Sequence, residues 1–443
     1  MTKIKFGTDG VRGRANTWPI DPETVFLVGL AAGQVLGTGK EALTGRDSRR
    51  SGPMLEAALA AGLASAGVSV RFGGMVPTAA LSLAVKSRKA DLGIMITASH
   101  NPAEDNGVKL FGPDGAKISD QQQMEIERLI NAPEQVSRAT ASKIGDVAVD
   151  GTIADIYRNM VRSLTPAKPL AGLKLVVDCA HGSASYLAPD LLAEAGAEVI
   201  AIHNQPNGSN INLACGSTYP QTLQAQVMAM GADAGIAFDG DADRLILVDE
   251  KGEVIDGDQI MARLASNWLA EGKLREKCVV ATVMSNMGLE RYLTTLGVKL
   301  VRTAVGDRHV SAKMNQLAAN LGGEQSGHIL LPDYLPTGDG LVAGLMPLLS
   351  LARSYDPASV HLRPFVALPQ ILHNIRHAGD NPLEQPSVQA AIRKAEQALE
   401  QTGRVLVRAS GTEPLIRVMV EAEQQADAQK AVDQIAGAII AAG

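Results

Sequence analysis

Apolar and polar positions follow one order three times along this chain. From Glu41, EALTGRDSRRSGPMLEAALAAGLASAGVSVRF sets a short strand, a Ser-bearing turn, an Ala/Leu-rich helix stopped at Gly67, then an alternating strand. LKLVVDCAHGSASYLAPDLLAEAGAEVIAIH, from Leu173, repeats that order with Gly196 as the stop. CVVATVMSNMGLERYLTTLGVKLVRTAVGD, from Cys278, repeats it with Gly297. The pattern predicts three β-α-β units. The tail differs: VALPQILHNIR, a charged helix around 390–401, RVLVRASGTEPLIRVMVE and a final Ala/Ile-rich helix predict strand, helix, two strands, helix. That order suits a small α+β domain with an antiparallel sheet. Linkers are expected near 140–152, 250–258 and 355–364, where polar residues, Gly or Pro interrupt the periodicity. The expected domains are 1–150, 151–253, 254–364 and 365–443.

Each unit leads to a polar loop: TASHNP at Thr97, DGDADR at Asp239 and GEQSGH at Gly323. In the first two, an apolar strand (LGIMI, AGIAF) runs straight into the loop. Open parallel sheets bind ligands beyond the carboxyl ends of their strands, so the spacing nominates the three loops as parts of one site. DGDADR aims Asp239, Asp241 and Asp243 the same way. Two such charges 4 Å apart repel by roughly 4 kcal/mol at an effective dielectric of 20, so a hard divalent cation is the natural neutraliser. Oxygen-only ligands favour Mg²⁺ or Ca²⁺ over zinc; a solvated acidic turn is the bland alternative. An EF-hand fails because Arg244 stands where that loop needs glycine, and the flanks read as strands.

TASHNP puts Ser99 just past a buried strand, where its hydroxyl is either a cap or a cleft-facing group. A serine carrying a phosphoryl group beside a metal would be a donor with charge that needs Mg²⁺. Arg and Gly cluster in GTDGVRG, GRDSRRSG and RASGTEPLIR. In the last, Arg408, Ser410, Gly411, Thr412 and Arg417 read as a phosphate cradle or as a hairpin turn with surface charges. Lys109 is read from spacing alone as a surface strand lysine ahead of a cation in the site. Glu324, Ser326 and His328 in GEQSGH, and Asp307 and Arg308 in GDRH, read as partners for sugar hydroxyls or as polar turns. No Walker A loop and no GxGxxG occurs.

Composition narrows the partners. With 41 Lys plus Arg against 47 Asp plus Glu, the net charge of −6 argues against nucleic acid or an anionic membrane. Aromatic residues are 3% of the chain, so a polar ligand would be gripped mainly by hydrogen bonds. Three separated cysteines (Cys179, Cys215, Cys278) fit neither a disulfide framework nor a CxxC site and point to reducing cytosol. The longest apolar stretch, near 341–352, is too short to span a bilayer and contains Pro347. The N-terminus, MTKIKFGTDG, has no apolar signal region.

Taken in order, GTDGVRG, TASHNP, DGDADR, GEQSGH and RASGTEPLIRV closely resemble the α-D-phosphohexomutases over essentially the whole chain. The resemblance implies a heart-shaped enzyme in which three similar α/β domains with mixed, largely parallel sheets and a smaller C-terminal α+β domain surround a central cleft. It implies that Ser99 is a phosphoserine donor and that Mg²⁺ is held by its phosphate with Asp239, Asp241 and Asp243. Glu324 and Ser326 would contact sugar hydroxyls, with Asp307 and Arg308 beside them, and the 408–417 loop would hold the non-reacting phosphate. Arg12, Lys109 and His328 match positions tied to proton transfer or charge stabilisation, and Arg244 lies beside the metal loop. The implied ligands are a sugar phosphate and a hexose or hexosamine 1,6-bisphosphate, in a cytoplasmic enzyme that forms a homodimer. GTDGVRG, TAVGDR and Gln325 in GEQSGH lean the expected substrate toward glucosamine phosphate for UDP-N-acetylglucosamine synthesis, with glucose and mannose phosphates as the alternative.

Overall fold

The computed structural model describes residues 4–7, 9–377, 381–409 and 415–442. Each predicted β-α-β unit is present. In the first, strand Glu41–Arg46, helix Gly52–Ser65 and strand Ser69–Met75 follow in turn; the second runs Lys174–Asp178, Ala188–Glu194, Glu198–Ile202 and the third Cys278–Thr282, Met287–Thr295, Lys299–Thr303. The helix stops fall where the sequence put them. Gly67, Gly196 and Gly297 take φ of +89°, +105° and +68°, which only glycine adopts without strain.

Four sheets result. The first orders Val11–Arg14, Asp105–Phe111, Leu92–Ile96, Glu41–Arg46, Ser69–Met75 and Val147–Val149, so part of the expected 140–152 linker is an edge strand. The second orders Val254–Ile255, Leu245–Asp249, Ala234–Phe238, Lys174–Asp178 and Glu198–Ile202. The third orders Lys299–Thr303, Cys278–Thr282, Gly322–Gly323 and Ile329–Leu330. In every one, parallel strands meet one strand that returns antiparallel, and the polar loop is the turn between them: Leu92–Ile96 to Asp105–Phe111, Ala234–Phe238 to Leu245–Asp249, Gly322–Gly323 to Ile329–Leu330. This places all three loops at the same end of their sheets. The fourth sheet, Gln370–Arg376, Leu415–Ala422, Gly403–Ala409, is antiparallel and covered by helices Pro386–Leu399 and Gln425–Ala442.

One apolar cluster runs from Leu43 of the first unit through Leu175 of the second to Leu341 of the third. The fourth unit packs around a core of its own, with Ile416, Val418 and Ile435 at its centre. Its seam with the third unit is rich in polar contacts. Arg404 donates to the carbonyls of Val283 (2.8 Å) and Ser285 (3.0 Å), the Met287 amide donates to buried Glu421 (3.0 Å), and Arg291 pairs with Glu423 (2.8 Å).

Helix Pro22–Leu36 crosses Gly52–Ser65 with backbones in contact. A Cβ on Gly62 would lie 2.1 Å from the Phe26 carbonyl oxygen, and one on Gly29 would lie 2.2 Å from that of Leu59. Gly62→Ala is therefore expected to cost about 1–3 kcal/mol or more, because neither backbone can yield inside a packed core. Urea unfolding would show it as a lowered midpoint with unchanged slope.

Candidate active site

Ser99 sits just beyond strand Leu92–Ile96, 1% exposed, with φ of +50°. Its Oγ donates to Oδ2 of Asp239 at 2.5 Å, joining loops 140 residues apart. The carboxylates of Asp239, Asp241 and Asp243 are buried, and their ligand-type atoms all lie within 4.8 Å of one another. Lys109, read from spacing as a surface residue, is instead 2% exposed, because strand Asp105–Phe111 is the inner antiparallel return strand. Its Nζ lies 2.8 Å from both Asp241 and Asp243, and Thr78 donates to Asp241 at 2.5 Å.

The electrostatics follow from crowding like charges in a dry place. Burial, with Asp243 and Asp241 adding to it, pushes the Asp239 carboxyl well above the usual range. Burial acts on Asp243 the same way, but Lys109 and His328 outweigh it and hold that carboxyl well below the range. Burial would likewise discharge Lys109, yet Asp241, Asp243 and Asp9 hold its ammonium well above the lysine value. Lys109 thus sets one ammonium against two members of the triplet. Oδ1 of Asp241 and Oδ1 of Asp243 are buried and accept no hydrogen bond. Carboxyl oxygens without hydrogen-bond donors, beside Asp239 and the Ser99 hydroxyl, fit a divalent cation with oxygen ligands.

The charges close into a ring. Lys109 Nζ is 3.1 Å from Asp9, Asp9 is 2.5 Å from Lys117, Lys117 is 2.6 Å from Asp307, and His328 reaches Asp307 at 3.5 Å and Asp243 at 3.6 Å. Burial alone would discharge His328, but Asp243 pushes it up to about 9. Burial first, then Arg244 and Arg12, pushes His100 down to about 4; its Nδ1 lies 3.3 Å from Ser99 Oγ.

A cavity of about 600 Å³ opens on this cluster, lined by Asp9, Arg12, Asp243, Arg244, Asp307, Glu324 and His328 among others. The Nε atoms of Arg12 and Arg244 are buried without hydrogen-bond partners, as suits an anion's pocket. Glu324 accepts from the Gly306 amide at 3.1 Å. Ser326 is exposed at the tip of the same turn. Arg308 turns away from this cavity, donating to the Ile118 carbonyl (3.0 Å) and Gln123 (3.1 Å) and pairing with Asp120. Arg408 and Arg417 are cross-strand partners in the fourth sheet, while Ser410, Gly411 and Thr412 lie outside the described residues.

The sequence reading passed over Asp9 and Lys117. Asp9 lies inside GTDGVRG two residues before the motif's valine and carries no spacing signal of its own; Lys117 belongs to no motif and is placed only by the fold. Asp178, His203 and Cys215 also bring ligand-type atoms within 4.8 Å. Asp178, however, accepts from the amides of Ala180 (2.9 Å) and Gly216 (3.0 Å) and pairs with His203 (3.0 Å), which holds the turns behind the aspartate loop.

Comparison with known proteins agrees with this fold. Family profiles described as phosphoglucomutase/phosphomannomutase alpha/beta/alpha domains I, II and III match residues 3–137, 155–252 and 256–366, and that of the C-terminal domain matches 372–438. The chain belongs to the phosphoglucomutase/phosphomannomutase family. A phosphoglucosamine mutase of Ruegeria pomeroyi is 52% identical over 99% of both chains. A family protein from Burkholderia thailandensis, 27% identical, superposes with a TM-score of 0.82 over 98% of this chain and 97% of its own. The N-acetylphosphoglucosamine mutase of Aspergillus fumigatus, solved with GlcNAc-6P and magnesium, shares the fold at 20% identity, with a TM-score of 0.70 over 100% of this chain and 96% of its own. Among the described residues no helix is long and apolar enough to cross a membrane.

Proposed function

We propose that this chain interconverts glucosamine 6-phosphate and glucosamine 1-phosphate through a phosphorylated Ser99 and a 1,6-bisphosphate. The observation that carries the reading is the meeting of Ser99 Oγ with Asp239 at 2.5 Å beside a cavity in which Arg12, Arg244 and His328 face Asp9, Asp243, Asp307 and Glu324. The near relative named for glucosamine supports the choice of sugar.

O1 and O6 of a hexose are too far apart for one phosphoryl group to pass between them directly. In the forward direction the Oγ–P bond of phosphorylated Ser99 therefore breaks as the phosphoryl joins O1 of the 6-phosphate; the O1 hydroxyl proton leaves to a basic group in the site and Ser99 Oγ takes up a proton. The bisphosphate turns over, its 6-phosphoryl returns to Ser99 Oγ, and the 1-phosphate departs. Asp239, Asp241 and Asp243 would hold a Mg²⁺, which would supply positive charge to the transferring group. Arg12, Arg244, Lys109 and His328 line or adjoin the same space and offset charge on the non-bridging oxygens. Glu324 accepts from sugar hydroxyls in either orientation, and Arg408 and Arg417 grip the distal phosphate.

Comparing kcat/KM for glucosamine, glucose and mannose 6-phosphates tests the sugar; a preference for glucose or mannose phosphate reassigns the substrate. Loss of the bisphosphate between transfers leaves an unphosphorylated serine. Dephosphorylated enzyme should thus be inactive and regain turnover on adding a trace of hexose 1,6-bisphosphate, read by a coupled assay.

A further inference from the structure

GRDSRRSG is one of the three Arg/Gly clusters of the sequence, and the structure gives its central arginine a structural task. Arg49 is fully buried beneath the Ser99 loop and every donor of its fork is taken. Nε meets Asp47 at 2.9 Å; Nη1 meets the Asp105 carbonyl at 2.8 Å and that of Pro102; Nη2 meets the carbonyls of Ser99 at 2.9 Å and Asn101 at 2.8 Å. From the second unit, the side-chain amide of Asn212 donates to the same two carbonyls, at 2.8 Å and 3.0 Å. Both lone pairs of the Ser99 carbonyl are therefore occupied by donors fixed on two different units. Thr97 completes the frame, accepting from the Ser99 amide at 2.9 Å and donating to Asp47 at 2.6 Å. Gly240, in the aspartate loop, passes so close that a Cβ there would lie 2.6 Å from the Ser99 oxygen.

The held residue is in a conformation a free chain avoids. Ser99 has φ of +50°, left-handed backbone disfavoured for a side chain with a Cβ, and it persists only where surroundings over-determine it. We infer that Asn212, together with Arg49, is a positioning residue for phosphoryl transfer: the two clamp the Ser99 carbonyl so that its Oγ stays aimed at the aspartate loop. Neither side chain lines the cavity beside the aspartate loop. Asn212 matters further because it crosses between units, as do Arg50, whose amide donates to the Gly208 carbonyl at 2.9 Å, and Ser48, which donates to that of His181 at 2.6 Å. Through these bonds the second unit sets where the donor serine stands relative to its own metal loop.

The inference rests on Ser99 being the phosphoryl carrier, and the test separates the two. Full-length protein carrying Asn212→Ala is compared with the parent in steady-state turnover, in single-turnover phosphorylation of Ser99 by glucose 1,6-bisphosphate followed by intact mass, and in thermal unfolding. Misplacing a reacting atom by an ångström costs up to about 100-fold in rate. We expect kcat and the single-turnover rate to fall together by about 10- to 100-fold, with KM within threefold and the melting temperature nearly unchanged. Asn212→Asp, of the same shape but without the donors, should be no better than alanine. Arg49→Lys, which keeps the charge and loses the fork, should show the same split if it folds. A single-turnover rate within twofold of the parent in Asn212→Ala overturns the inference, as does a loss that tracks melting temperature and KM. If the parent itself takes no phosphate on Ser99, the carrier assignment fails instead.

Discussion

Ser99→Ala should abolish turnover while leaving a folded protein. The loop around the hydroxyl is held by Arg49, Asn212 and Thr97 through the Ser99 backbone, so removing the hydroxyl leaves that frame in place. Losing a covalent carrier removes the whole two-step route, and a drop on the order of 10⁴-fold or more is expected, as when an enzymatic nucleophile is deleted. Intact mass supplies an independent reading. Active wild-type protein should carry one phosphoryl group that the variant lacks, and added bisphosphate should fail to rescue the variant. Normal turnover by the alanine protein, or active enzyme that never bears phosphate at residue 99, contradicts the mechanism.

Asp241→Ala is the second large effect. Lys109 keeps Asp243 at 2.8 Å and Asp9 at 3.1 Å, so the buried ammonium stays paired and the fold should hold. The orphaned Oδ1 of Asp241 disappears, and with it part of the cation's oxygen cage. Turnover should fall by about 10³-fold, since positioned charge at a transferring phosphoryl group commonly contributes on that scale. Metal binding can be read without any assay of activity. A ligand that binds only the folded state stabilises by about 2.7 kcal/mol at 100 times its Kd, so Mg²⁺ should raise the melting temperature of the wild type and leave that of Asp241→Ala flat. Full activity after chelation of divalent ions runs against the assignment.

Much of this architecture was legible because apolar periodicity and glycine stops repeat. The units beginning at Glu41, Leu173 and Cys278 each declare strand, helix and strand in a few dozen residues. The third loop was harder, because its strand is only Gly322–Gly323 and carries no apolar run; it forms from partners on both sides. The aspartate triplet announces itself by spacing. Lys109, Lys117 and Arg49 do not, since a cation in a strand or turn looks alike whether it faces water or carboxylates. Only the stacking of sheets around one centre turns Lys109 inward and leaves Arg49 with carbonyls for company. Arg308 shows the converse: a motif residue whose fork is drawn off to the first unit.

The two kinds of seam described for the fold have unequal mechanical meaning. Pulling apart the apolar cluster that runs from Leu43 to Leu341 would wet it, whereas the bonds of Arg404, Glu421 and Arg291 can trade protein partners for water at small net cost. The first three units thus behave as an anvil and the fourth as a jaw. A joint of that kind lets the unit that carries Arg408 and Arg417 loosen from the other three without disturbing the contact of Ser99 with Asp239.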